Sequence, residues 1–461
     1  MPPTEVALVL VTVAAAACVL LGVAATRLRQ GIALAALAVA LAAQLALVGP
    51  HWQVIPAYGG LLLLAALLRL GDSGWGVRVL AGLAVVLCCA TLALLWALPM
   101  FRLPPPTGVF AVGTSGPLNW SDPSRALDGS PATVLGKPRE LTVQIWYPAA
   151  PGSTGERARY ARFRELSLGH SYEAAIRTNA ILNAPIADAP PFPVILFEHR
   201  WAGARTQDTF LVEDLASHGY VVVALDHPLN SARVQLSDGS VVKSDRADAL
   251  SNLEASSAAA IQALWLHELD LWTADDDFVL DTLFRDETFG GRVDLDRVGA
   301  VGHSFGGAVS MRLLGLDPRV KCAVNLDGWT FQGLERRTDQ PVLFVYEGSG
   351  ELRPPPVGVE GALNTADNAA VDGTLQRYGG LRAWVAGTQH LDFTDQTLTS
   401  PLHRVTFTGP IAGERIRTIT RGLVLGFLDQ TLRGSGQVPE FPEVKMEHWP
   451  KEKPAGIPTP R

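Results

Sequence analysis

Four uncharged apolar runs, residues 6–26, 30–50, 51–68 and 79–101, fill the first hundred positions and restrict that part of the chain more than any other feature does. Each reaches about 18 residues or more, the length an α-helix needs to cross a hydrocarbon core. The expectation is a transmembrane helical region over residues 1–101 with about four spans. The third run is the weakest, being short and interrupted by Pro56 and Gly59-Gly60, so three spans or a re-entrant third segment are the alternatives. A cleaved signal peptide is the competing reading of the first run, but Met1-Pro2-Pro3-Thr4-Glu5 lacks a basic n-region.

Arginine placement sets an orientation. The first connection holds Arg27 and Arg29, the third holds Arg69 and Arg78, and the second, around Pro50-His51-Trp52, has neither Lys nor Arg. Positive-inside logic puts connections one and three in the cytoplasm, and the N-terminus and everything after Phe101 outside. Arg102 counts weakly against this. An integral membrane protein with the rest of its chain on the extracytoplasmic side is therefore expected. Residues 1–100 carry four basic and two acidic side chains, a balance of +2, so the remainder must carry −9 to give the chain's net charge of −7. That acidity disfavours a nucleic-acid partner, which requires a basic patch to release counterions. Of the four cysteines, only Cys322 falls in the soluble part, so no disulfide can form within it.

Residues 102–107, Arg-Leu-Pro-Pro-Pro-Thr, read as a stiff linker, and a globular domain is expected over residues 108–433. Strand-like runs recur at 109–112, 141–147, 194–198, 220–226, 298–302, 322–327, 342–346 and 382–386, several of them solid apolar blocks. Helical stretches at 206–217, 256–272, 305–316 and 415–432 alternate with them, which predicts a doubly wound, mostly parallel α/β sheet. Residues 234–242 read as a hairpin closed by Asp238-Gly239. The tail 434–461 holds six prolines with mixed charge and reads as irregular and disordered.

Within this frame, Gly302-His303-Ser304-Phe305-Gly306-Gly307 lies between an apolar strand and a helix. A Gly-x-Ser-x-Gly run in that context is how an α/β-hydrolase presents a nucleophilic serine, with glycines sparing the neighbouring backbone a Cβ clash. The serine needs a histidine base, and His390 follows the last expected strand, after Ser304 in chain order. His303 points away from the serine and reads as a packing residue. Two acids end strands beyond the serine, Asp327 and Glu347; general placement in this fold leans to Glu347, one strand later, and spacing alone leaves both open. The oxyanion hole would take the backbone N–H of Phe305 and one from the loop at 197–203, for which Trp201 is chosen. His199, Arg200 and His227 are candidates for the substrate mouth; Arg200 would attract an anionic group or stay a solvated loop charge, and His227 would line the pocket or belong to a turn.

Five ordered blocks then carry a family resemblance: Phe197-Glu198-His199-Arg200-Trp201-Ala202-Gly203, Asp214-Leu215-Ala216-Ser217-His218-Gly219-Tyr220, the elbow at Ser304, Leu326-Asp327-Gly328-Trp329, and Gly387-Thr388-Gln389-His390-Leu391-Asp392-Phe393. Together they resemble the platelet-activating factor acetylhydrolase family over roughly residues 108–433. The resemblance implies an α/β-hydrolase fold, Asp327 as the acid, and the amides of Trp201 and Phe305 as oxyanion donors. It implies hydrolysis of short or oxidised sn-2 acyl groups of phospholipids without metal or other cofactor. Arg200 stands where that family has glycine, and the four apolar runs lie outside the resemblance. Acyl transfer with the same triad, a broader lipase or carboxylesterase activity, and a non-catalytic ligand-binding membrane protein are the competing readings.

Overall fold

The computed structural model describes residues 3–21, 26–70, 74–129, 137–189, 191–244, 257–331, 340–348 and 359–450. Residues 22–25 of the first apolar run and the last eleven residues of the tail therefore lie outside the described residues. The chain divides into two compact units, one made of residues 1–102, 159–177 and 398–406, the other of residues 103–158, 178–397 and 407–461.

The first unit is built on four helices, α1 (Pro3–Leu20), α2 (Arg27–Leu47), α3 (Ile55–Leu70) and α4 (Trp75–Ala97). Four stretches, Pro3–Leu20, Arg27–Leu47, Trp52–Arg69 and Trp75–Ala97, are long and apolar enough to cross a membrane. The interruptions expected to weaken the third do not break it. Pro56 falls in the first turn of α3, where its fixed φ suits the helix start, and Gly60 faces the backbone of Ala84 so closely that an added Cβ would sit 3.1 Å from its carbonyl oxygen. Small residues at a helix contact let two backbones approach, which is how apolar helices gain packing where burial from water is not the driving force. Ala16, Ala57, Ala81, Ala84 and Cys88 share this interior with Leu8, Leu37 and Leu64. At one end of the bundle His51 Nε2 pairs with Glu5 at 2.6 Å, and the Trp52 indole donates to Gly169 O at 2.9 Å. The 159–177 and 398–406 segments thus cluster with helices distant in the chain, an organisation the linker-and-domain reading did not contain.

The second unit carries an eleven-stranded sheet of order β13-β12-β11-β10-β9-β5-β6-β2-β1-β4-β3, with β1 Val112–Ala126, β2 Pro138–Pro148, β3 Arg157–Arg159, β4 Arg177–Leu182, β5 Phe192–Glu198, β6 Val221–Asp226, β9 Val293–His303, β10 Val320–Leu326, β11 Val342–Glu347, β12 Gly380–Val385 and β13 Val444–Trp449. The hairpin at 234–242 is present as β7 (Arg233–Gln235) and β8 (Val241–Lys243), turning at Gly239 with φ +80°. Strands β6, β5, β9, β10, β11 and β12 run parallel, while β2 and β13 join antiparallel. Every residue of β5 and β6 is buried, as their unbroken apolar sequences require of strands covered on both faces. The covering helices are α5 (Thr209–Ser217), α6 (Ala258–Arg285), α7 (Phe305–Leu316), α8 (Val359–Tyr378) and, after two four-residue helices α9 (Gln396–Thr399) and α10 (His403–Thr406), α11 (Gly413–Leu432).

The tail departs from expectation. Residues 444–449 pair along β12 instead of remaining irregular. Arg382 of β12 donates to Glu447, and its guanidinium lies over the Trp449 ring at 5.4 Å. The proline content hid a short strand held by its neighbour. Strand order reverses between β5 and β9, and the carboxyl ends of strands at such a switch point form the crevice where α/β proteins bind ligands.

Candidate active site

Ser304 connects the end of β9 to α7 with φ 57° and ψ −121°, a left-handed backbone that a non-glycine residue adopts only under restraint. The restraint is visible. Its N–H donates to Leu326 O at 2.8 Å, and three glycines allow backbone to close around it. A Cβ on Gly302 would lie 2.1 Å from Gly306 O, one on Gly306 2.2 Å from Glu198 O, and one on Gly307 2.3 Å from Asn325 Oδ1. The motif's glycines are thus required by close approach rather than by torsion.

His390 follows β12 and begins a short 3₁₀ turn, His390–Phe393. Its Nε2 lies 2.9 Å from Ser304 Oγ and its Nδ1 2.7 Å from Asp327 Oδ2. Asp327 leaves β10 with φ 55°, and its second oxygen accepts the Glu347 N–H at 2.9 Å. Of the two acids left open by spacing, the one placed against His390 is Asp327. Asn325, which sequence reasoning passed over, closes the turn after Asp327 by accepting from Gly328 N at 2.7 Å and donating to Gly328 O at 3.0 Å. Its only signal was an amide in an otherwise apolar strand.

His303 is fully buried, lies 2.8 Å from His390 O through Nε2, and meets Gln207 Nε2 at 3.3 Å through Nδ1. Burial and the neighbouring His390 hold its imidazole well below the usual range. A neutral ring that donates to His390 O through Nε2–H and accepts at Nδ1 fits both bonds.

The loop after β5 supplies the second wall. Ala202 adopts φ 51°, and its N–H donates to Asn230 O at 3.0 Å. No acceptor among the described residues takes the N–H of Trp201 or Phe305. Their side chains meet at 5.3 Å between centroids, within a cluster that adds Trp265, Trp272 and Phe331.

The expected mouth residues divide. His199 and His227 are fully buried and do not face solvent; their ring nitrogens are engaged inside, His199 with Arg200 O and Ser231, His227 with Asp275 and Glu198. Arg200 keeps partial exposure, but its guanidinium turns back to donate to Trp201 O at 3.1 Å. Burial lowers its affinity for the proton, opposed by the field of Asp208.

Sheet topology and this constellation define an α/β-hydrolase with a Ser-His-Asp arrangement at the switch-point crevice. The family model for platelet-activating factor acetylhydrolase, isoform II, matches residues 139–256 and 253–351. Platelet-activating factor acetylhydrolases of Bos taurus and Cavia porcellus are 30% identical over 206 residues and 28% identical over 190 residues, each match covering 37% of this chain. The chain spans 43% of the length of these relatives. A ferulic acid esterase from Streptomyces cinnamoneus superposes with a TM-score of 0.60 at 27% identity, covering 75% of this chain and 99% of that one.

Proposed function

We propose that the chain is a membrane-anchored serine esterase in which Ser304 attacks a carboxylic ester. The carrying observation is the continuous hydrogen-bond line from Ser304 Oγ through His390 to Asp327, at 2.9 and 2.7 Å, beside two unengaged backbone amides. His390 Nε2 takes the serine proton as Oγ bonds to the acyl carbon, and Asp327 stabilises the imidazolium and fixes the tautomer. The amides of Trp201 and Phe305 receive the oxyanion. Collapse expels the alcohol with the proton from His390, and water, deprotonated by the same imidazole, then releases the acid and restores Ser304.

For the substrate, the names of the matched relatives support the acetyl ester of platelet-activating factor, and the resemblance of the five sequence blocks extends that reading to other short or oxidised sn-2 acyl groups of phospholipids. The four apolar helices support an integral membrane anchor, and the Arg27, Arg29, Arg69 and Arg78 bias supports an extracytoplasmic catalytic unit. A second reading, an aromatic acyl ester, draws on the five rings around the oxyanion loop and on the named activity of the structural neighbour.

Purified full-length protein should label at Ser304 with a fluorophosphonate and hydrolyse esters, with Ser304→Ala inactive in both. A panel of short-acyl phosphatidylcholines and methyl hydroxycinnamates separates the two substrate readings. Absence of both labelling and turnover overturns the esterase assignment.

A further inference from the structure

His227 lies outside the triad, yet the groups around it lead to the oxyanion loop. Its Nδ1 is 2.8 Å from Asp275 Oδ2 on α6 and its Nε2 is 3.0 Å from Glu198 Oε2, the last residue of β5. Asp275 is also held by Arg139, which donates to both of its oxygens at 2.7 and 2.6 Å. One face of the imidazole stacks on Trp272 at 3.8 Å between centroids, and Trp272 is nearly parallel to Trp201 at 6.3 Å. The residues following His227 are bonded residue by residue to the loop bearing Trp201. Ser231 Oγ accepts the His227 N–H at 2.8 Å and lies 2.7 Å from His199 Nε2. Asn230 O accepts from Ala202 N at 3.0 Å, and Gly203 O accepts from Ala232 N at 2.8 Å.

We propose that His227 is a positioning residue for the oxyanion hole, using both ring nitrogens to fix the loop after β6 that in turn orients the Trp201 amide. The proposal rests on the esterase reading. Two carboxylates facing the two nitrogens require both to donate, which selects the imidazolium. Burial opposes that charge, but the bonds from Asp275 and Glu198 raise the affinity for the proton above its ordinary value. Beside Glu198, burial and the charge of that carboxylate push Asp276 well above the usual carboxylate range, so a third full negative charge is not forced on the site. A buried cation bonded at two fixed points resists rotation, and the strained φ of Ala202 is held by the loop it anchors. An amide aimed at a developing oxyanion is useful only where its direction is set before reaction.

The test uses the full-length protein with p-nitrophenyl acetate, with active sites counted by fluorophosphonate stoichiometry. His227→Gln carries both of its donor hydrogens on one nitrogen and an acceptor oxygen beside it, so it cannot donate to carboxylates that face opposite sides of the ring. The expected result is kcat per labelled Ser304 at least about tenfold below wild type with KM within about twofold, and a parallel drop in the phosphonylation rate, since that adduct uses the same hole. Ser231→Ala, which removes only the hydroxyl joining His227 to His199, should move kcat in the same direction by about threefold or more, and serves if His227→Gln does not fold. An unchanged kcat per labelled site in His227→Gln, or in Ser231→Ala where that variant stands in, overturns the positioning role even if the melting temperature falls. Failure of wild type to label or turn over instead overturns the esterase reading.

Discussion

The backbone N–H of Glu347 donates to Oδ1 of Asp327 at 2.9 Å, while Oδ2 of the same carboxylate lies 2.7 Å from His390 Nδ1. The two acids that compete in the sequence thus have different parts: Asp327 presents its side chain to the histidine, and Glu347 supplies main chain that holds that side chain still. Asp327→Asn is expected to lower kcat on the order of 10⁴-fold by selecting the wrong histidine tautomer. Glu347→Gln, which leaves the amide in place, should stay within about threefold. Steady-state kinetics on both variants checks this, and the reverse pattern would move the acid to Glu347.

Gly306 admits no Cβ, since one would lie 2.2 Å from Glu198 O and 2.6 Å from His199 O, both rigid main chain. Gly306→Ala must therefore displace the elbow from the oxyanion loop. A shift of that kind should cost about 100-fold or more in kcat. Circular dichroism should show helix content retained, and near-normal turnover would contradict the close approach.

Glu213 on α5 accepts from Ala180 N at 2.8 Å and from Asn179 Nδ2 at 2.9 Å, but burial outweighs these bonds and pushes its carboxyl up to about 7. The folded chain then holds this proton more tightly than the unfolded one does. Stability should fall as pH rises from about 4.5 through 7, by an amount on the order of 3 kcal/mol for this group. Melting temperature followed by tryptophan fluorescence between pH 5 and 8 should decline in wild type and decline less in Glu213→Gln. Equal slopes would remove Glu213 as the source.

In the helical unit, Gly60→Leu should separate α3 from α4, because even a Cβ would stand 3.1 Å from Ala84 O. Overpacking of this kind costs about 1–3 kcal/mol. Thermal aggregation in detergent should begin at a lower temperature than for wild type, and an unchanged onset would argue against that contact.

What the sequence determined by itself is local. Run length marked the four helices, and nearly unbroken apolar blocks marked β5 and β6. The glycine spacing marked the turn at Ser304. Each of these signals lies within a few residues along the chain, where helix length, strand burial and Cβ clashes act. Tertiary structure decided the partners. His390 meets Asp327 across 63 positions and Ser304 across 86, distances that only the sheet order closes. The same order buries His199 and His227, which as a sequence looked fit for the mouth, and gives residues 444–449 a strand to pair with. A hydrogen-bonding side chain carries no mark of which distant group it will face, because that depends on how neighbouring strands are arranged. For this reason the reaction could be read from Ser304 outward and the resemblance could point to Asp327, whereas the contact that seats Asp327 against His390 and the bridge at His227 required the fold.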